Sequence, residues 1–524
     1  MAKAQKFRAA KQKYLSPNQL ILPEFETPFS KNLSSENRWV ILAQRIPWDI
    51  LVHTYQSQMG NTKTGADGIN PRVAIGSMII KHICDLSDRE TVLQIQENMY
   101  MQYFLGYSSF SNEKPFDPSL FVDFRHRLGI DQINEINEKI LRLDSKLKQH
   151  NQEANQEQKA EVDPPQEVKS DEFSGSSEND AATAITHKGE LIVDATACPQ
   201  DIAYPTDLNL LNDARKKAEE LIDFLCEQRA DLEKPRTYRK IARKEYLSVA
   251  QKKVKSKKQI RKAIGKQLNY LKRDLTHIDN LLDKYQLIPF DKHQLKYFMV
   301  IQHLYQQQLY MFKEYIHSVE HRIVSIHQPH VRPIVRGKTN ANVEFGAKIH
   351  VSLMKGYAFL DELSWEAFNE GSYLMASVEK YKNRFGCYPA YVLADKIYCN
   401  RPNRAKLKEL GIKLRAKPLG RPKAVDVEHV RPGERNPIEG KFGQAKTAYG
   451  MNRIKARLQQ TSQSWIATII LVLNLVKLAR EVPLWLKISW VTYSAQLYTF
   501  INIWLNGIGC ADNTTKNYAL MRLT

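Results

Sequence analysis

The chain has 524 residues, 43% of them hydrophobic, enough to bury a large core and to fill two or three domains. Its formal net charge of +20 is far from that of a near-neutral soluble enzyme and favours a polyanionic partner, nucleic acid first and an acidic membrane second. The six cysteines are scattered, with no Cys-X-X-Cys pair and no Cys/His ligand spacing; they read as free thiols in a reducing compartment, not as a disulfide frame or zinc site.

Lys3, Lys6, Arg8, Lys11 and Lys13 have no apolar run behind them, so residues 1–35 read as a basic tail and not as a secretory signal. Residues 36–145 show helical periodicity throughout. Arg38–His53 is one such stretch, Arg72–Cys84 starts behind Pro71, Ser87-Asp88-Arg89-Glu90 has the capping-box form, and Asp117-Pro118-Ser119 opens a helix through Phe121 and Phe124. Short helices with tight turns suit a helix-turn-helix type DNA-binding domain, with Lys81, Arg89, Arg125 and Arg127 facing a duplex; an ordinary helical bundle fits the same periodicity. Residues 146–188 read as an acidic, disordered linker, because 151–180 holds nine acids against Lys159 and Lys169, with Pro164-Pro165 among them.

Glu190–Thr196 is a compact strand with Asp194 in its apolar run, and a carboxylate there needs a partner or a metal. Thr206-Asp207 reads as a helix cap, which leaves Asp207 out of the chemistry. Residues 208–330 form a helical stretch in which Lys234–Leu275 carries sixteen Lys and Arg against Glu245 and Asp274. A heptad seam runs through Ile264, Leu268, Leu271, Leu275, Ile278 and Leu282, and a second helix through Phe298, Ile301, Tyr305, Leu309, Phe312, Ile316, Val319 and Ile323. The expectation is a long antiparallel hairpin with one very basic arm that touches phosphate. From Asn342 the period changes to two. Phe345–Leu353 and Tyr357–Leu363, split by Lys355-Gly356, read as a hairpin, and Ala390–Asp395 is a second apolar strand ending in an aspartate. A helix Arg401–Leu410, a short strand Gly411–Leu414 and a basic loop with Arg415, Lys417, Arg421 and Lys423 follow. Its Gly420-Arg421-Pro422 partly matches a minor-groove hook.

Arg435–Lys446 then puts an arginine, Glu439 and a lysine in one segment. A helix starting at Pro437 sets Glu439 and Lys446 on one face, two turns apart. The same residues also allow a capping box, with Glu439 returning to the Asn436 amide. Trp465–Leu478 and Ile488–Leu505 are apolar but read as buried helices and not as membrane spans. Two strand-end aspartates plus a helical glutamate, in strand–hairpin–helix–strand–helix order, are what two-metal phosphoryl transfer requires, since hard divalent cations take carboxylate oxygens.

At these positions the chain resembles the bacterial insertion-sequence DDE transposases. Asp194, Asp395 and Glu439 match the triad, and Arg435, Glu439 and Lys446 match the tail of the family's tyrosine–arginine–glutamate–lysine signature, with Pro432 where the tyrosine falls. The stretches Leu191–Asp207 and Arg435–Leu478 look similar to the insertion-sequence five group, and the resemblance spans about residues 36 to 480. It implies an α/β fold: a ribonuclease-H-like mixed sheet with flanking helices over 189–480, the large helical insertion 208–330, an all-helical N-terminal domain, and a helical segment over 481–524. It further implies two Mg²⁺ ions (or Mn²⁺), Asp194 bridging them and Asp395 and Glu439 each completing one. Arg435, Lys446, Arg421 and Lys417 would contact DNA. The implied activity is cleavage at terminal inverted repeats and joining of the 3′-ends to target DNA by a homodimer at the nucleoid in a bacterial cytoplasm. A nuclease on the same core, or a DNA-binding protein with an inactive core, are the rival readings.

Overall fold

The computed structural model describes Ser16 and residues 27–58, 68–160, 187–229, 231–338, 341–416 and 433–481. Most of the basic tail, the linker from 161 to 186, the loop holding Lys417 and Arg421, Pro432 and the segment beyond 481 lie outside the described residues.

The N-terminal helices begin where short polar side chains can take up free backbone amides. Asn37, Asn70, Ser87 and Asn98 each accept a hydrogen bond from the first turn of the helix behind them. Pro71–Ile83 is buried along nearly its whole length, so it forms the centre of this module, and its neighbours present amphipathic faces to it. The last helix of the module, Ile130–Ala160, continues through the first part of the stretch read as linker.

Six strands make one mixed sheet: β1 (Glu190–Pro199), β2 (Arg332–Lys338), β3 (Ala341–Met354), β4 (Tyr357–Ser364), β5 (Tyr391–Leu393) and β6 (Lys413–Arg415). The order is β2-β3-β1-β5-β6, with β4 also on β3. β3 runs antiparallel to β1, β2 and β4, whereas β1, β5 and β6 are parallel. The β3–β4 hairpin closes through Lys355 and Gly356, both at positive φ, the backbone a two-residue hairpin turn requires.

Gln459–Glu481 joins the two parts, packing on β4 on one side and on several N-terminal helices on the other. By length and composition it could cross a membrane, but 83% of its most apolar window is buried inside the protein, which makes it a core helix. Its buried Asn474 holds both backbone groups of Ala358, accepting from the amide (2.9 Å) and donating to the carbonyl (2.7 Å), and so covers the free edge of β4. The N-terminal helices and the sheet therefore share one hydrophobic core.

A second core lies in the helical insertion. The expected seam is present on Lys257–Leu282, where Leu268, Leu271, Leu275 and Ile278 are buried. The two expected helices do pack on each other, but as part of a larger unit and with a shorter second arm. Asp207–Glu227 and Arg239–Ala250 pack against Lys257–Leu282 and Lys292–Glu314 to make a four-helix bundle. The last of these helices stops at Tyr315, which takes a left-handed backbone (φ 58°), so Ile316, Val319 and Ile323 fall beyond it.

Two of the cations expected to face a duplex do not. Lys81 and Arg125 are buried, both paired with Asp88 (Lys81 at 2.9 Å) and both lying over the ring of Trp465 at 4.4 and 5.0 Å. Burial pushes the Lys81 ammonium down to about 8, against the pull of Asp88. Their work is internal: they fasten Pro71–Ile83 and Phe121–Arg127 onto the core helix. Arg89 is exposed, and Arg127 donates to the Tyr55 hydroxyl at 3.1 Å.

Candidate active site

The two aspartates meet because of strand register. β1 and β5 are parallel neighbours with Ile192 opposite Leu393, and Asp194 and Asp395 each stand two residues further on. Two residues along a strand return a side chain to the same face, and adjacent strands are about 4.8 Å apart, so the carboxylates come side by side. Asp194 is largely covered, with 17% of its side chain exposed, whereas Asp395, two residues beyond its short strand, is 54% exposed.

Arg435 lies between them. Its Nη2 is 2.9 Å from Asp194 Oδ2 and its Nη1 is 3.2 Å from Asp395 Oδ1, so one guanidinium bridges both carboxylates. The other Asp194 oxygen accepts from the Ala195 amide at 2.9 Å. Burial raises the Asp194 carboxyl to about 6; Arg435 and the Ala195 amide pull against this, and the charges of Glu370 and Asp395 add to it.

The helix Asn436–Ala448 opens directly behind Arg435, with Pro437 in its first turn. The helix cap is Arg435 and not Asn436. The Asn436 amide bonds to the Gly433 carbonyl at 3.0 Å, so the capping box around Glu439 does not form. Glu439 is exposed, four residues after Arg435, and its amide reaches the Arg435 carbonyl at 3.4 Å. That spacing puts Glu439 on the Arg435 face of the helix, about 6 Å further along the axis. Lys446 lies on the same helix and is half-buried. The structure thus brings Asp194, Asp395 and Arg435 into contact. Among the described residues no three His, Cys, Asp or Glu side chains converge closely enough to hold one metal ion, so Glu439 stands apart from the aspartate pair.

Two further groups around the site carry no sequence signal. Glu370, on the short turn Glu370–Tyr373, pairs with Lys348 of β3 at 2.9 Å and raises the Asp194 carboxyl by its charge. Tyr398 closes the turn that begins at Asp395, its amide bonded to the Asp395 carbonyl at 3.0 Å. It is fully buried with no hydrogen-bond partner for its hydroxyl; burial pushes that phenol far above its usual range, with the charges of Glu370 and Asp194 adding. Nothing in a lone Glu or Tyr marks it as a neighbour of a site assembled from distant strands.

Two carboxylates paired by strand register on a mixed sheet, with the residue that opens a helix delivering a guanidinium between them, make up the candidate site. Comparisons with known proteins are consistent with it. The family described as Transposase DDE domain matches residues 392–476, which hold Asp395, Arg435, Glu439 and Lys446, and the family described as Transposase domain (DUF772) matches residues 27–127. Together the two matches indicate an insertion-sequence DDE transposase. A Rhizobium meliloti protein described as "Uncharacterized protein ORF8 in nfe locus" is 38% identical over 65 residues, 12% of this chain and 31% of that protein, so the chain spans about a third of this relative. No solved structure matches.

Proposed function

We propose that this protein is a DNA transposase that cleaves at the terminal inverted repeats of its element and joins the freed 3′-ends to target DNA. The observation that carries the reading is the Asp194–Asp395 pair, two carboxylates on adjacent parallel strands converging on a single cation. The order and directions of the strands, with an antiparallel half beside a parallel trio, favour a ribonuclease-H-like core. The insertion-sequence five assignment rests on the stretches Leu191–Asp207 and Arg435–Leu478.

The donor set fits a hard divalent ion, because hydrogen-bonded carboxylate oxygens already hold a positive charge between them. Asp194 and Asp395 would hold Mg²⁺, with Mn²⁺ as a substitute, and Glu439 would join them from its helix. Two such ions, when bound, supply activation of the attacking water or 3′-hydroxyl and stabilisation of the leaving oxygen. The protein's own contribution is placement. The Ala195 amide fixes one Asp194 oxygen and leaves the other directed at the cation. The exposed Asp395 and Glu439 border the side from which DNA approaches, and Arg435 and Lys446 supply positive charge for its phosphates. Lys417 and Arg421 would extend that contact.

The exposed turn at the sheet-proximal end of the helical bundle, where Lys257 and Arg261 lie beside Asp207 and Tyr315, is the second DNA contact. Some of the bundle's cations have acidic partners, Lys234 and Arg239 on Asp223 and Lys266 on Glu245. Lys252, Lys253, Lys255, Lys257 and Lys258 instead crowd one exposed stretch and form no ion pair among the described residues. Two element ends must be held at once, so the working form is a homodimer, acting in the cytoplasm at the nucleoid.

The test uses the purified full chain, Mg²⁺, a plasmid carrying the DNA that flanks this reading frame, and a second plasmid as target. Joined products support the transposase. Nicked plasmid without joining supports a nuclease on the same core, and no cleavage with DNA binding retained supports an inactive core.

A further inference from the structure

Arg435 does more than border the site. Its two terminal nitrogens each take one oxygen from a different carboxylate, at 2.9 and 3.2 Å, so the guanidinium lies where the two acids converge. The arrangement is incomplete as a structural ion pair, because Nε of Arg435 is buried without any acceptor. A buried donor without an acceptor carries an uncompensated desolvation penalty, so the bridge forgoes part of what a settled arginine–carboxylate pair gains. The side chain starts at the first residue before Asn436–Ala448, with Gly433 two residues earlier at φ 100°.

We infer that Arg435 is a positioning residue that holds the cation place between Asp194 and Asp395 until a divalent ion displaces it. This rests on the reading of the two aspartates as the metal-binding pair. The guanidinium keeps the carboxylates from repelling each other and keeps them aimed at a common point. A doubly charged ion outcompetes a singly charged one for two carboxylates at close range, because attraction scales with the product of the charges. The guanidinium, always charged, then needs a new anion. A DNA phosphate at the opening of the same helix offers one. Metal entry and the arginine's turn to DNA are two halves of one exchange, which ties metal loading to the presence of substrate. Lysine cannot do this, since a single ammonium lacks the fork that reaches both carboxylates.

The test is direct binding of Mn²⁺ to the full chain without DNA, read by electron paramagnetic resonance, together with the melting temperature with and without Mg²⁺. Arg435→Gln is expected to bind Mn²⁺ about tenfold more tightly than the wild type, since the competitor is gone. It should also melt lower without metal and gain more from Mg²⁺. Arg435→Lys, which keeps one ion pair, should fall between the two and decides the matter if Arg435→Gln does not fold. Equal or weaker Mn²⁺ binding by the folded variants overturns the exchange. Asp194→Asn separates this from the underlying assignment: if it binds Mn²⁺ as the wild type does, the metal-site reading fails, whatever Arg435 does.

Discussion

At the scale of single residues, the aspartates are legible in the sequence and their company is not. Asp194 stands out inside an apolar strand and Asp395 just beyond one, places where a carboxylate has to be explained. Which atoms they face depends on the register of β1 against β5, and no local pattern encodes a pairing between strands so distant along the chain. Arg435 therefore reads as a DNA contact in the sequence, when its immediate partners are the two acids. Lys81 and Arg125 read as exposed because charge is usually solvated, yet Asp88 and Trp465 offset the cost of burying them. The Asp194 carboxyl carries a consequence for pH. Burial raises it to about 6, so the folded protein holds that proton to a higher pH than the unfolded chain does. The stability this proton contributes is complete at low pH and is lost as pH rises through about 6. Cation binding has the opposite dependence, since it needs the carboxylate. Mn²⁺ affinity should be level above pH 7 and fall about tenfold per unit well below 6. Titration of binding at several pH values checks this, and a flat profile down to pH 5 would contradict it.

At the scale of elements, helices announce themselves through their caps and strands through alternation. The hairpin of β3 and β4 is readable from Lys355-Gly356, and the helix behind Arg435 from Pro437. β2 is not: it is an edge strand containing Pro333 and Gly337, both of which argue against a strand when read locally. The charge of Arg239–Ala250 likewise hides its packing face, so the bundle reads as a hairpin. Asp274 is the unusual residue there. It is fully buried, neither oxygen has a hydrogen-bond partner, and burial pushes its carboxyl up to about 8, with Glu219 adding and Arg215 opposing. The folded bundle keeps this group neutral at pH 7. Its contribution is therefore full at low pH and is lost as pH rises from about 4 to about 8, by at most about 1.4 kcal/mol per unit. Denaturant unfolding at pH 5 and pH 8 should show the full chain weaker at pH 8, and Asp274→Asn should reduce that difference. An unchanged difference in the variant would show that Asp274 does not titrate there.

At the scale of the whole molecule, the net charge points to a polyanion before any motif does. The structure refines where that charge is available, since part of it is spent on internal partners and part is gathered on the exposed Lys252–Lys258 turn of the bundle. Substituting Lys252, Lys253, Lys255, Lys257 and Lys258 with Gln should weaken binding to duplex DNA of any sequence. The slope of log affinity against log salt should flatten by about 0.9 for each phosphate that the variant no longer neutralises. An unchanged slope would place the DNA elsewhere. The shared core is not visible in the sequence, where the acidic stretch suggests separate N-terminal and catalytic parts; only packing shows that Gln459–Glu481 belongs to both.

The most direct test of the central claim is strand joining with the triad varied. A duplex bearing a recessed 3′-end from the element, Mg²⁺ and a target plasmid are incubated with the wild type and with Asp194→Asn, Asp395→Asn and Glu439→Gln. The wild type should join the 3′-hydroxyl to target DNA, and each variant should fold and bind the duplex yet lose joining by at least about a hundredfold. Joining that survives in any of the three would remove that residue from the site, and survival in both aspartate variants would contradict the assignment as a whole.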